Sequence, residues 1–162
     1  MKRLFFSAFT LVPALTLGVA SPSVSGSIQG TWRVVEVTVT GPGARTITNV
    51  KRNLMIITTK HYSRVEEHSD NPRPILTDVA TATADELRAT WGPFVAEAGT
   101  YEVSGNVITM RPIVAKNPAA MAQGAYSTYA YKLAGDTLWV TAQGTDKGPV
   151  SNPVKVRAFR VE

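Results

Sequence analysis

The stretch Thr100-Tyr101-Glu102-Val103-Ser104-Gly105-Asn106-Val107-Ile108-Thr109-Met110-Arg111-Pro112-Ile113-Val114 decides how this chain is read. Two β-prone runs, Thr100 to Val103 and Val107 to Val114, flank a serine, a glycine and an asparagine. The last two accept positive φ, so the segment reads as a tight hairpin. The arrangement recurs downstream, where Tyr126 to Leu133 and Thr137 to Gln143 flank Ala134-Gly135-Asp136. Upstream, Thr31 to Thr40 is rich in valine and threonine and stops at Gly41-Pro42-Gly43. Arg45 to Val50, Asn53 to Thr59 and His61 to Glu67 follow, and a loop rich in glycine and proline leads to a last run, Val154 to Val161.

About nine short strands joined mostly by hairpins predict an all-β, antiparallel domain, because tight turns cannot connect parallel neighbours. A two-sheet sandwich and an up-and-down barrel of eight to nine strands both fit. The hairpin-after-hairpin order favours the barrel, which also leaves no open edge. A sandwich needs long crossovers, and the only long connection runs from His68 to Gly99. Within that connection Asp85 to Ala96 favours helix, with Thr83 and Glu86 spaced as a capping box. Trp91-Gly92-Pro93 should end or kink it within two turns. A second helical turn is expected at Pro118 to Gln123, with Asn117 as its cap.

The N-terminus begins Met-Lys-Arg, continues as an apolar run from Leu4 to Val19, and ends Gly18-Val19-Ala20 before Ser21-Pro22. A basic start, an apolar middle and a small-x-small site are the parts of a secretory signal peptide. Ser7, Thr10, Pro13 and Thr16 interrupt the run, which falls short of the ~20 apolar residues needed to span a bilayer. The expected organisation is a signal at residues 1–20, a flexible leader at 21–29 and a barrel domain at 30–162. The product is expected to be exported, periplasmic or secreted, with no stable membrane anchor.

Export changes the meaning of the charge. The whole chain carries 17 Lys and Arg against 12 Asp and Glu, a formal +5. Cleavage removes Lys2 and Arg3 and no acid, leaving fifteen bases against the same twelve acids, or +3. These bases are dispersed, without the stripe and interleaved aromatics of a nucleic-acid binder, so no nucleic-acid partner is expected. The chain has no cysteine, which excludes disulfides, thiolate metal sites and a cysteine nucleophile. Two histidines, no phosphate-binding glycine loop and no Gly-x-Ser-x-Gly elbow leave no cofactor to expect, metal and haem included.

Gly30-Thr31-Trp32, opening the first strand of a small exported β-protein, resembles the lipocalins, and the bacterial lipocalin-like domain proteins of the calycin group in particular. Ile56-Ile57-Thr58-Thr59 with His61-Tyr62-Ser63, Gly99-Thr100-Tyr101-Glu102-Val103 and Leu133-Ala134-Gly135-Asp136-Thr137-Leu138 agree with that pattern, which covers about residues 28–162. The helical insert departs from it. The resemblance implies a barrel whose interior accepts one small, hydrophobic or amphipathic molecule. It also implies a C-terminal basic residue packed over Trp32, for which Arg157 and Arg160 are candidates.

Strand alternation supplies the candidate site residues. Tyr62, Arg64, Glu66 and His68 share one face, which either meets water or forms a polar wall with Arg64 able to hold a carboxylate. If Trp32 points inward, regular pleating also turns Glu36 inward, making it a candidate proton-transfer group; a β-bulge would put it outside. Tyr129, Tyr131 and Trp139 either pack the core or line a pocket, and Met110 is a further apolar candidate. Trp91 and Phe94, expected on the helical insert, either lid the barrel or staple the insert to its wall. Three functions remain: a binder of a small molecule, a barrel enzyme of isomerase, cyclase or lyase type using Glu36 or a tyrosine, and an interaction module whose barrel is filled. Oligomeric state is not legible.

Overall fold

The computed structural model describes residues 26–69 and 71–162. The expected export signal and the first part of the leader, residues 21–25, lie outside the described residues. The strands are β1 (Gly30–Val39), β2 (Arg45–Ile47), β3 (Asn53–Ile57), β4 (His61–Glu67), β5 (Phe94–Ser104), β6 (Val107–Ala115), β7 (Ser127–Ala134), β8 (Thr137–Thr145), β9 (Gly148–Pro149) and β10 (Lys155–Arg160). Among the described residues, one helix, α1 (Ala84–Trp91), and a 3-10 turn at Pro118–Met121 accompany them.

Eight of the strands pair in the order β10-β1-β3-β4-β5-β6-β7-β8, and β8 pairs back onto β10. All pairings are antiparallel, so the sheet closes into the expected up-and-down barrel. The short strands β2 and β9 are extensions on β1 and β8. Tight turns after β3, β5 and β7 gather at one end. The longer connections, including the insert between β4 and β5, gather at the other.

The tight-turn end is packed solid. Trp32, Ile57, Tyr62, Ile108, Leu133, Leu138 and Ala158 are buried there, and Trp32 and Leu138 expose no surface. Fully burying a side chain of this size contributes about 1.5–3 kcal/mol, so this layer anchors the fold. The end of the leader joins it: Ile28 is buried, and its carbonyl accepts the Trp32 indole N–H at 2.8 Å. Residues 26–29 are therefore no free arm. Burying Trp32 leaves its indole donor in need of a partner, and the leader backbone supplies it.

Of the two candidates for covering Trp32, Arg160 does so, its guanidinium 4.2 Å from the ring centroid. The same guanidinium donates to the carbonyls of Ser27 and Gln29, tying the leader to the last strand. Gly30 explains itself here: it holds φ at 137°, and a Cβ on it would collide with the Arg160 guanidinium. Arg157 points the other way and pairs with Glu36 at 2.8 Å.

That pair follows from a bulge. Against β10, Trp32 faces Arg160 and Val34 faces Ala158, but Glu36, two residues on, faces Arg157, with Val35 as the extra residue. Trp32 and Val34 point inward, and after the bulge Val37 and Val39 do so in place of Glu36 and Thr38.

The capping box forms as expected, Glu86 N–H to Thr83 Oγ1 at 3.3 Å and Thr83 N–H to Glu86 Oε2 at 2.8 Å. The helix stops at Trp91 rather than continuing to Ala96, since Pro93 cannot donate to its ladder. Phe94 consequently opens β5 instead of ending the helix, and Val95 and Ala96 pair with β4. Asn117 caps the 3-10 turn, accepting from Ala119 N–H at 3.1 Å.

Candidate functional site: a two-faced cavity at the open end

Above the packed layer the barrel is hollow. A cavity of about 550 Å³ opens toward the end that carries the long connections. On β1 it is lined by Val34, Val37 and Val39; on β8 by Leu138, Val140 and Ala142; and on β10 by Val156. Ile108 and Met110 of β6 and Tyr129 of β7 extend this apolar lining. The bulge is what makes the β1 wall apolar along its full height, because without it Glu36 would replace Val37.

The β4 side is polar. Arg64, Glu66 and His68 line the cavity, so the face that either met water or formed a polar wall is the wall. Arg64 sits opposite Glu97 of β5 in the register, its Nε 3.0 Å from Glu97 Oε1, and its Nη1 lies 3.6 Å from Glu66 Oε1. Tyr62 donates its hydroxyl to the same Glu97 oxygen at 3.1 Å. At the outer end, His68 Nε2 and Glu66 Oε2 are 2.8 Å apart. A chain of contacts thus runs from the packed floor to the mouth: Tyr62, Glu97, Arg64, Glu66, His68.

The electrostatics of this chain are directional. Burial, reinforced by the Glu97 charge and hydrogen bond, pushes the Tyr62 phenol well above the tyrosine range, so it stays a donor. Burial works to raise the Glu66 carboxyl, but the His68 hydrogen bond and the Arg64 charge outweigh it and hold it below the usual carboxylate range. The hydrogen bond to Glu66 raises His68 against the opposing effect of burial. At the mouth, Arg45, Asn49 and Lys51 from the β1–β3 connection join the lining, together with Glu67, which Arg73 approaches at 3.6 Å.

Of the residues expected to meet a ligand, Arg64, Met110 and Tyr129 line the cavity. Trp32 and Tyr62 lie in the packed floor, and Tyr131 packs against it. Trp139 is on the outside: the register sets Val140 against Tyr131 and pairs Trp139 with Lys132, whose ammonium sits 5.5 Å above the indole. Trp91 and Phe94 do not reach the cavity. They stack edge-to-face on each other at 6.4 Å, with Arg73 over the Phe94 ring, as a staple between insert and wall. Glu36, the candidate proton-transfer residue, is outside as well, neutralised by Arg157.

Sequence reasoning missed Glu97 and Asn53. Glu97 fell in a connection with no assigned parity, next to a segment expected as helix. Asn53 lies inside an expected strand, where its amide bonds both backbone groups of Val34, N–H at 2.7 Å and C=O at 3.0 Å. It takes over beside the bulge, where the β1–β3 ladder has ended at Trp32 and Met55. Only a known register would have exposed either role.

No protein-family model and no curated protein matches this chain. Among solved structures, an uncharacterised protein from Bacteroides eggerthii DSM 20697 is similar at 8% identity and a TM-score of 0.43, over 81% of this chain and 98% of that one.

Proposed function

We propose that this protein is an exported, lipocalin-like carrier that holds one small hydrophobic or amphipathic molecule in its barrel without transforming it. The observation that carries this reading is the cavity of about 550 Å³ at the open end. That volume falls in the range that takes a single small molecule, and its largely apolar lining with a few convergent polar groups is the usual character of such sites. Arg160 over Trp32 supports the lipocalin likeness, since a basic residue from the last strand covering the first-strand tryptophan is what the resemblance implied. A filled barrel fits poorly with a hollow of this size, and an enzyme built on Glu36 loses its carboxylate to the outer surface.

The test is uptake of N-phenylnaphthylamine, a neutral dye that brightens in apolar surroundings. The purified protein should bind it saturably, at one dye per barrel. Native mass spectrometry of protein taken from its own periplasm should retain an adduct of small-molecule mass. Dye binding that is absent, or that fails to saturate, would sink the carrier reading.

A further inference from the structure

The β4 wall bears on which molecule the cavity accepts. Its inner charges are Arg64 against the two carboxylates Glu66 and Glu97, at 3.6 Å and 3.0 Å. One guanidinium between two carboxylates leaves the trio net negative. His68, on the far oxygen of Glu66, brings it to neutrality only when protonated. The remaining charged lining groups, Arg45, Lys51 and Glu67, belong to the mouth, and Tyr62 and Tyr129 are uncharged phenols. An anionic head at the depth of Arg64 would therefore be desolvated against no surplus of positive charge. A cationic head would have to displace the guanidinium from both of its carboxylates.

Yet the wall has donors to give. A guanidinium presents a fork of N–H groups; the Nε of Arg64 lies 3.0 Å from Glu97 Oε1, and among the described residues neither Nη has a hydrogen-bond partner. Its Nε is buried against that oxygen and closed to a ligand, whereas the Nη end of the side chain, part-exposed, borders the cavity. Donors facing a largely apolar hollow call for an acceptor. Donors without net positive charge, facing valines and methionine across the barrel, suit an acceptor that is itself uncharged.

We propose that the cavity selects a neutral apolar molecule carrying a hydrogen-bond acceptor, such as a long-chain ketone, ester or lactone, whose oxygen takes the unspent N–H groups of Arg64, and that it disfavours a carboxylate there. This rests on the carrier reading above and specifies its ligand class. Lys51 and Arg45 at the mouth offer a carboxylate another place, but a ligand held there leaves Arg64 unused, so dependence on Arg64 separates the two arrangements.

The experiment displaces N-phenylnaphthylamine from the native protein with methyl nonyl ketone or with decanoate, at about pH 8 where carboxylates are ionised. The ketone should displace the dye at a concentration at least ~10-fold lower, equivalent to about 1.4 kcal/mol. With an isotope-labelled carbonyl, its bound carbon resonance should lie downfield of its position in hexane. In the double variant Arg64→Met, Glu97→Gln, which removes the charge pair together, the downfield shift should vanish and the advantage over decanoate should shrink to what the remaining Glu66 charge sustains, while dye binding persists. An unshifted carbonyl would overturn the assignment. So would decanoate that competes as well as the ketone in the native protein and loses that ability in the double variant. Should the variant fail to fold, the comparison and the shift in native protein still decide. Failure of the native protein to bind the dye would instead overturn the carrier reading, and this ligand class with it.

Discussion

At the closed end, Trp32 has no exposed surface, is stacked by Arg160 and donates to the leader backbone; a few residues along the same strand, Val37 and Val39 face unfilled space. The neighbouring strands repeat the contrast. On β8 Leu138 is fully buried where the floor meets the hollow while Val140 and Ala142 line it above, and on β10 Ala158 is buried while Val156 borders the cavity. The difference lies in side-chain volume and in what closes each end. Large residues and tight turns leave no room below; small β-branched residues and long connections leave room above. A barrel with a functional cavity needs such a division, because the hollow contributes little packing and the floor must supply the stability.

The sharpest way to break the comparison is to cut into the floor. Trp32→Ala should cost about 3–5 kcal/mol, the range for deleting a fully buried large aromatic, measured as a fall in the urea midpoint at unchanged slope. A loss below ~1 kcal/mol would mean the floor is not what holds the barrel closed. Next in size is Asn53→Ala. Its amide is the partner of the Val34 N–H and C=O beside the bulge, and stranding those groups should cost about 1–3 kcal/mol. Hydrogen exchange should show the same change locally, with protection lost at Val34 before it is lost at Trp32. Val140→Phe sharpens the contrast from the other side. The larger ring enters empty space, so stability should stay within about 1 kcal/mol while dye uptake drops severalfold. Equal loss of both would show the upper barrel to be as tightly packed as the floor.

How much of this the residues announced differs between the two ends for the same reason. Hairpin turns such as Ser104-Gly105-Asn106 are local, so strand order and closure could be read without any long-range contact. The floor was legible only in part: the likeness implied a basic residue over Trp32 without choosing between Arg157 and Arg160, while Trp32 and Tyr62 were expected to meet a ligand and instead lie in the packed layer. The cavity depended on register. Val35 inserts one residue and reverses the parity of everything after it, so Glu36 and Val37 exchange places, and no alternation rule indicates where a bulge falls. The β4 face shows a related limit. Tyr62, Arg64, Glu66 and His68 read as a water-facing set as readily as an inner wall until Glu97 appears opposite Arg64, and that pairing is set by β5 beginning at Phe94 rather than beyond the insert. Trp139 shows the converse, an aromatic on the outer surface because its neighbour Val140 holds the inward position.

The smallest effect expected concerns the mouth, where His68 meets Glu66. The folded protein holds His68 above its ordinary value, principally through the Glu66 hydrogen bond, so its contribution is complete below about pH 6.5 and fades as pH rises through the raised folded value. Glu66 is held below its ordinary value, so its contribution is complete above about pH 4.5 and fades as pH falls through the lowered one. Together they give a shallow plateau between those limits. With His68 more than half exposed, solvent screens the pair and the amplitude should be small. Urea midpoints of the native protein and of His68→Gln across this range should differ most on the plateau and converge above neutrality; parallel curves would show that the pair contributes nothing to folding. Replacing Glu66 by Gln should remove the same difference, because His68 then loses the partner that raises it. Trp32→Ala should leave the shape of the pH profile intact even as it lowers the whole curve, since the floor and the mouth share strands but not a titrating group.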